Sequence, residues 1–327
     1  MGNFFKSLFS SSKEGKTENG NAEIAGTKID QKNFDIFKYD GIRAQQIGKL
    51  QYAIKCFEEA LNIQDDYETM GILVAAYLSA HQAEDALDVA HRMVELEPDN
   101  IASYLTRVNV LFMMDNEKDA IADCLKAIEL EGENYIAWFM MGKAKRTEKD
   151  FEGAIHDLSR AIEFKDEFVS AWSLRAEILF ETGMPEKALA DIEKAIELAP
   201  EEESAYLTRG RIHEALNDLD AAIDDFNQAL ALNPFNEEAS LLSASILILQ
   251  EKPDEAIDIL DEIIELKPDF GRAYMERSKA KKLKGDNEGA ATDLASGEEY
   301  GAGSNGQGKE SDDKPADFNE MYKGGIF

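Results

Sequence analysis

The six residues SYLTRV at 103–108 return as AYLTRG at 205–210, 102 positions later. That separation is three times 34, and a fixed period of this size marks a chain built from stacked supersecondary units rather than around one central core. Prolines set the phase: Pro98, Pro200, Pro234 and Pro268 differ by multiples of 34, with Gly132 and Asp166 in the two slots between the first pair. With Pro98 as position 32, units fall at 67–100, 101–134, 135–168, 169–202, 203–236, 237–270 and 271–304. Position 20 then reads Ala86, Ala120, Ala154, Ala188, Ala222, Ala256 and Ala290. An earlier unit over about 34–66 fits with its phase moved by one residue, Gly41, Ala53, Phe57 and Ala60 taking the small, small, large and small positions.

Within each unit the apolar residues recur at spacings of three and four in two bursts, the pattern of two amphipathic helices rather than of strands. A break falls at position 15, occupied by Gly48, His81, Asp115, Gly183, Asn217 and Gly285, most of them residue types that tolerate the left-handed conformation ending a helix. Pro185 and Pro253 at position 17 suit the first turn of a second helix, where a missing N–H costs little. The prolines at position 32 stop that helix and restart the chain.

This pattern resembles the tetratricopeptide repeat family, whose units place an aromatic at position 4, small residues at 8, 20 and 27, a large residue at 24 and proline at 32. Here position 4 reads Met70, Tyr104, Trp138, Trp172, Tyr206, Ser240 and Tyr274, and position 27 reads Met93, Ala127, Ala161, Ala195, Ala229, Ile263 and Gly297. The resemblance implies an all-α, right-handed superhelical solenoid of about eight helix-turn-helix units over residues 34–300. It also implies a concave groove lined by positions 2, 5, 6, 9, 12 and 13 of the first helices. In this chain those positions hold Leu105, Phe112, Phe139, Met140, Phe180, Leu207, Leu241 and Ile248, interleaved with Asn109, Lys143, Arg146 and Arg211. So lined, a groove fits an extended or helical apolar segment, its cations fixing an acidic group. The Lys, Asn and Arg clamp of the family's chaperone-binding members does not transfer, because its columns here are mostly small or apolar.

One departure from the family pattern carries information. Position 7, usually leucine, is Arg107, Arg175, Arg209 and Arg277 in four units, and each of those has aspartate at position 23: Asp123, Asp191, Asp225 and Asp293. Units with Leu73 or Ser243 at position 7 carry Val89 or Ile259 at position 23, while Met141 faces Asp157 as the exception. Columns that change together within one chain predict contact, so these residues are expected as structural ion pairs joining the two helices of a unit.

The formal charge of −31 sits almost wholly on the repeats. Residues 1–33 hold five Lys against three Glu and one Asp, and residues 301–327 three Lys against three Asp and two Glu. Such a field repels phosphate backbones and excludes direct nucleic-acid binding by the array. Cys56 and Cys124 fall on the packing sides of different units, which speaks against a disulfide framework and for a reducing, cytoplasmic setting. The four histidines share no metal-binding spacing, and no phosphate loop or nucleophile with an evident base occurs. No cofactor and no catalytic residue is expected.

Residues 1–33 are expected to be a flexible N-terminal segment with a short apolar start, MGNFFKSLFS, and 301–327 a flexible acidic, glycine-rich tail with an apolar C-terminus. The start is too short and too interrupted by Lys6 for a signal peptide. The expected function is a non-catalytic scaffold or adaptor that binds a protein or peptide partner in the groove. The alternatives are a self-gated regulatory module or a membrane-surface assembly factor, each using the apolar ends, with membrane association weak. The sequence leaves the oligomeric state open.

Overall fold

The computed structural model of this protein describes residues 20–301, with side chains from 28 onward. Helices follow one another in pairs. Numbered in chain order they are α1 (Gly20–Gln46), α2 (Leu50–Ile63), α3 (Tyr67–Ser79), α4 (Ala83–Leu96), α5 (Ile101–Met113), α6 (Glu117–Leu130), α7 (Tyr135–Thr147) and α8 (Phe151–Phe164). They continue as α9 (Val169–Glu181), α10 (Pro185–Leu198), α11 (Glu203–Ala215), α12 (Leu219–Leu232), α13 (Glu237–Leu249), α14 (Pro253–Leu266), α15 (Gly271–Lys284) and α16 (Asn287–Glu299). From α3 onward the first helices of successive pairs begin 34 residues apart, and so do the second helices. Among the described residues the fold is all-α helical repeat.

Each pair turns on one residue with positive φ. Position 15 is left-handed in every pair: Gly48, His81, Asp115, Lys149, Gly183, Asn217, Glu251 and Gly285, with φ from 52° to 90°. Lys149 and Glu251 have no local preference for that region, so the packing of the two helices around them holds the turn. Short polar side chains start many of the helices. Asp66 caps α3 through Thr69 N at 2.9 Å, Asn134 caps α7 through Ile136 N and Ala137 N at 3.1 Å each, and Asn236 caps α13 through Ala239 N at 2.7 Å.

The flexible segment expected over residues 1–33 differs from what is found at its inner end: residues 20–33 belong to α1. Phe34 and Ala44, each 3% exposed, anchor this helix, and no proline stands N-terminal to them to stop its propagation. The apolar start at 1–10 and the tail at 302–327 lie outside the described residues.

The chain divides into two compact units, residues 1–157 and 158–327. In the first, Phe57, Met70, Leu73, Val74, Val89 and Met93 form one core with Ala53, Ala86 and Ala90, and a second cluster gathers Val108, Leu111, Phe112, Cys124 and Met141. In the other unit, Phe226 and Ile246 pack with Ala222, Ala229 and Ala239, and Leu247, Leu260, Ile263 and Phe270 pack with Ala244 and Ala256. The alanines of position 20 are fully buried from Ala86 to Ala256 and 5% exposed at Ala290. A larger side chain there would separate the helices. First helices also meet one another across repeat boundaries, α3 with α5 and α5 with α7 in one unit, α9 with α11 and α13 with α15 in the other.

Candidate functional site

Two sets of residues compete for a functional role, the charged columns at positions 7 and 23 and the faces of the first helices. The structure brings each arginine of position 7 onto its aspartate as a two-pronged fork. Arg107 Nε and Nη2 donate to Asp123 Oδ2 and Oδ1 at 2.7 and 2.6 Å, and Arg175 does the same to Asp191 at 2.6 and 2.8 Å. Arg209 reaches Asp225 at 2.9 and 2.6 Å, and Arg277 reaches Asp293 at 2.8 and 2.7 Å. All four aspartates are buried, between 3% and 6% exposed, so the fork supplies the charge-assisted bonds that a desolvated carboxylate requires.

The remaining guanidinium nitrogen reaches outward to position 25 of the preceding repeat. Arg107 Nη1 meets His91 Nδ1 at 3.0 Å, Arg175 Nη1 donates to Ser159 Oγ at 2.9 Å, and Arg277 Nη1 pairs with Asp261. Each arginine also lies over the ring at position 4 one turn earlier, Tyr104, Trp172, Tyr206 or Tyr274, at 5.0–5.9 Å. One side chain thus ties together both helices of its repeat, its own aromatic and, in three cases, the repeat before. Their partners are other parts of the same repeat array, which makes them structural ties.

Met141 opposite Asp157, the exception in the sequence, has a physical resolution. Lys145 at position 11, one turn beyond Met141, brings Nζ to 2.6 Å from Asp157 Oδ2. Position 11 recurs as Lys281, whose Nζ stands 2.8 Å from Asp293 Oδ2, and as His213, 3.8 Å from Asp225 Oδ2. Sequence reading missed this column because spacing alone does not show that positions 7 and 11 share a face toward position 23.

Burial pushes the Asp293 carboxyl upward, but the hydrogen bonds from Arg277 and Lys281 outweigh it and hold the group below the ordinary carboxylate range. A lowered folded value contributes stability that is fully present above the unfolded-chain value, near 4, and is lost as pH falls through the folded one. Asp293→Asn should therefore melt below the parent protein at pH 7, with the difference in Tm shrinking steadily below about pH 4. A difference that persists undiminished at pH 2.5 contradicts this assignment.

Of the residues expected to line a groove, the first unit leaves Asn109 exposed and Leu105, Met140, Lys143 and Arg146 half-buried on α5 and α7. The other unit leaves Arg211 exposed and Phe180, Leu207 and Ile248 half-buried on α9, α11 and α13. Phe112, Phe139 and Leu241 retain only 9%, 9% and 8% of their surface and are corrected to core residues. Phe112 joins the cluster around Val108 and Cys124, and Leu241 the one around Leu260. The cause is local packing: at these three sites the side chain turns into the seam between helices, where burial outweighs exposure, while Phe180 and Ile248 at position 12 and Leu105 and Leu207 at position 5 stay half-buried. Lys143 Nζ sits 4.8 Å above the Phe112 ring, covering it further. Position 13, where first helices end, also keeps apolar surface open: Met113, which the family pattern places on the groove, is 46% exposed, and Leu249, at the same position but not singled out from the sequence, 75%.

Cys124 is fully buried, and burial pushes its thiol up to about 12, which makes it chemically inert at neutral pH. Among the described residues no group of three or more His, Cys, Asp and Glu side chains converges as a metal site. None of the described helices is long and apolar enough to cross a membrane.

Residues 167–234 and 207–270 match two family models, each described as "Tetratricopeptide repeat". No curated protein matches the chain. Among solved structures, a tetratricopeptide repeat protein from Parabacteroides merdae is 16% identical with a TM-score of 0.53, covering 72% of this chain and 93% of its own. PilF of Pseudomonas aeruginosa is 18% identical with a TM-score of 0.55, covering 62% and 92%. MamA is 26% identical with a TM-score of 0.49, covering 52% and 92%.

Proposed function

The chain belongs to the tetratricopeptide repeat family, and from that premise we propose that it is a non-catalytic scaffold or adaptor whose first-helix faces hold a segment of a partner protein. The observation that carries this reading is the mixture of side chains left partly open on those faces. In the first unit Leu105, Met113 and Met140 retain accessible apolar surface near Asn109, Lys143 and Arg146. In the other, Phe180, Leu207, Ile248 and Leu249 do so on a set of helices that also carries Arg211, Lys279 and Lys282. Apolar surface on a helical face, punctuated by cations, fits a peptide or helix with apolar anchors and an acidic group. Flexible methionines adapt such a face to its guest. The reading assumes a cytoplasmic setting, with which the two buried, unpaired cysteines agree.

The test substitutes residues the core does not use. Met113→Glu and Leu249→Glu, each placing a charge on a side chain already in water, should abolish partner capture from native extract while far-UV circular dichroism and Tm stay unchanged. Phe139→Glu should instead lower the helical signal, since its ring is buried. If the intact chain and both exposed-site variants capture the same proteins, the groove reading fails.

A further inference from the structure

In five repeats the ring at position 4 makes the same hydrogen bond. Tyr104, Trp138, Trp172, Tyr206 and Tyr274 each donate an O–H or N–H to the main-chain carbonyl at position 32 of the preceding repeat. The acceptors are Pro98, Gly132, Asp166, Pro200 and Pro268, at 2.9, 2.8, 2.7, 3.1 and 3.1 Å. Around Tyr104 the ring is enclosed by Val94 from the preceding repeat and by Ala127 and Leu130 from its own. The repeat at 237–270 breaks the series. Its position 4 is Ser240, whose hydroxyl turns back to the Asn236 carbonyl at 3.0 Å.

Beside Ser240 lies a cleft of about 360 Å³ between α12 and α14. Leu230, Ile263 and Leu266 line it, and they hold positions 28, 27 and 30, those of Val94, Ala127 and Leu130 around Tyr104. Pro234, also in the lining, holds position 32, whose carbonyl receives the ring's donor elsewhere. Ile263, standing where five other repeats have alanine, reclaims part of the volume of the missing ring, and the cleft is the remainder. Asn227 and Glu262 are its charged or amide members, and the apolar Leu266 in its lining is 42% exposed.

We propose that this cleft is a receptor slot for an aromatic ring carrying a hydrogen-bond donor, which meets the Pro234 carbonyl, and that its occupant is Tyr322 of the chain's own C-terminal segment. The donor selects tyrosine or tryptophan over phenylalanine, and Tyr322 is the one tyrosine or tryptophan outside residues 20–301. Repeat register places its tether within reach. The cleft is lined by the last turns of α12 and α14, and the chain leaves the last turn of α16 one repeat farther along the same edge of this unit. That edge-to-edge step is on the order of 10–20 Å. Residues 302–321 are twenty in number and rich in glycine at their start, and a glycine-rich segment of that length has an end-to-end reach of roughly 25 Å, enough for the step. Phe318 and Met321 flank Tyr322 and bring apolar cover for the exposed rim.

The experiment titrates p-cresol, the side chain of tyrosine as a free molecule, into the full chain and its variants by isothermal calorimetry, with toluene as the probe lacking a donor. Tyr322→Ala should bind p-cresol at least about tenfold more tightly than the intact chain, because the tethered competitor is gone, and more tightly than it binds toluene. Ser240→Trp, which refills the slot from within, and Leu266→Glu, which charges an already exposed rim residue, should each abolish p-cresol binding in the Tyr322→Ala background. Leu266→Glu keeps the test valid if the tryptophan variant does not fold. Failure of p-cresol to bind any form overturns the slot. Equal binding to intact and Tyr322→Ala chains overturns the assignment of Tyr322.

Discussion

Asp225→Ala should lower the resistance of the protein to urea by roughly 3 kcal/mol, the scale of breaking a buried pair from one side. The Asp225 carboxylate is 4% exposed and takes two bonds from the Arg209 fork. Its removal leaves a guanidinium whose environment was shaped for an anion. The repeat at 67–100 shows the apolar alternative, with Leu73 and Val89 in the same two positions, 1% and 6% exposed. Arg209→Leu combined with Asp225→Val should therefore return to within about 1 kcal/mol of the parent, since well-packed apolar replacements of a buried pair are near neutral. Urea midpoints of the single and double variants decide the matter. A double variant as unstable as Asp225→Ala alone means that the arginine acts chiefly through its contacts to Tyr206 and the preceding repeat.

The second large effect concerns positions 8 and 24, whose sizes trade against each other. Gly210 faces Phe226 so closely that a Cβ on the glycine would come within 2.5 Å of the ring, which is fully buried. Gly41 meets Phe57 in the same way. Elsewhere the pair is Gly142 with Leu158, Ala176 with Ile192, Ala244 with Leu260, Ser278 with Leu294, Val108 with Cys124 and Val74 with Ala90. Phe226→Ala should cost about 3–5 kcal/mol through the cavity it opens, and Gly210→Val about 1–3 kcal/mol through overpacking. Joined, they recreate the Val74 and Ala90 pairing, so the double variant should be more stable than Phe226→Ala alone. Additive losses in the double-mutant cycle would show that the two side chains are not coupled.

How far the sequence reaches is clearest at these positions. The 34-residue period, the helix pairs and their turns follow from periodicity, alanine columns and turn-forming residues, because these are local signals repeated often enough to reinforce one another. The arginine and aspartate columns were legible for a related reason: one chain with many copies of a unit supplies its own internal variation, so residues that change together reveal partners. The role of Lys145 was not legible, since it substitutes from a different position by reaching one helical turn back toward Asp157. Nor was the helical state of residues 20–33, where composition argued for flexibility and the anchoring of Phe34 prevailed.

The candidate faces divide along the same line. That first helices carry Phe112, Phe139 and Leu241 at positions 12 and 5 is written in the sequence. Whether a large side chain at such a position faces water or the seam between helices depends on how closely neighbouring repeats approach, and that distance is set by all the side chains in the seam together. The vacancy beside Ser240 is of the same kind. Sequence determined that serine replaces the aromatic in the repeat at 237–270, because identity at a position is local. Only tertiary structure decided that Ile263 fills part of the space and leaves a cleft, because packing volume is a sum over residues from two repeats.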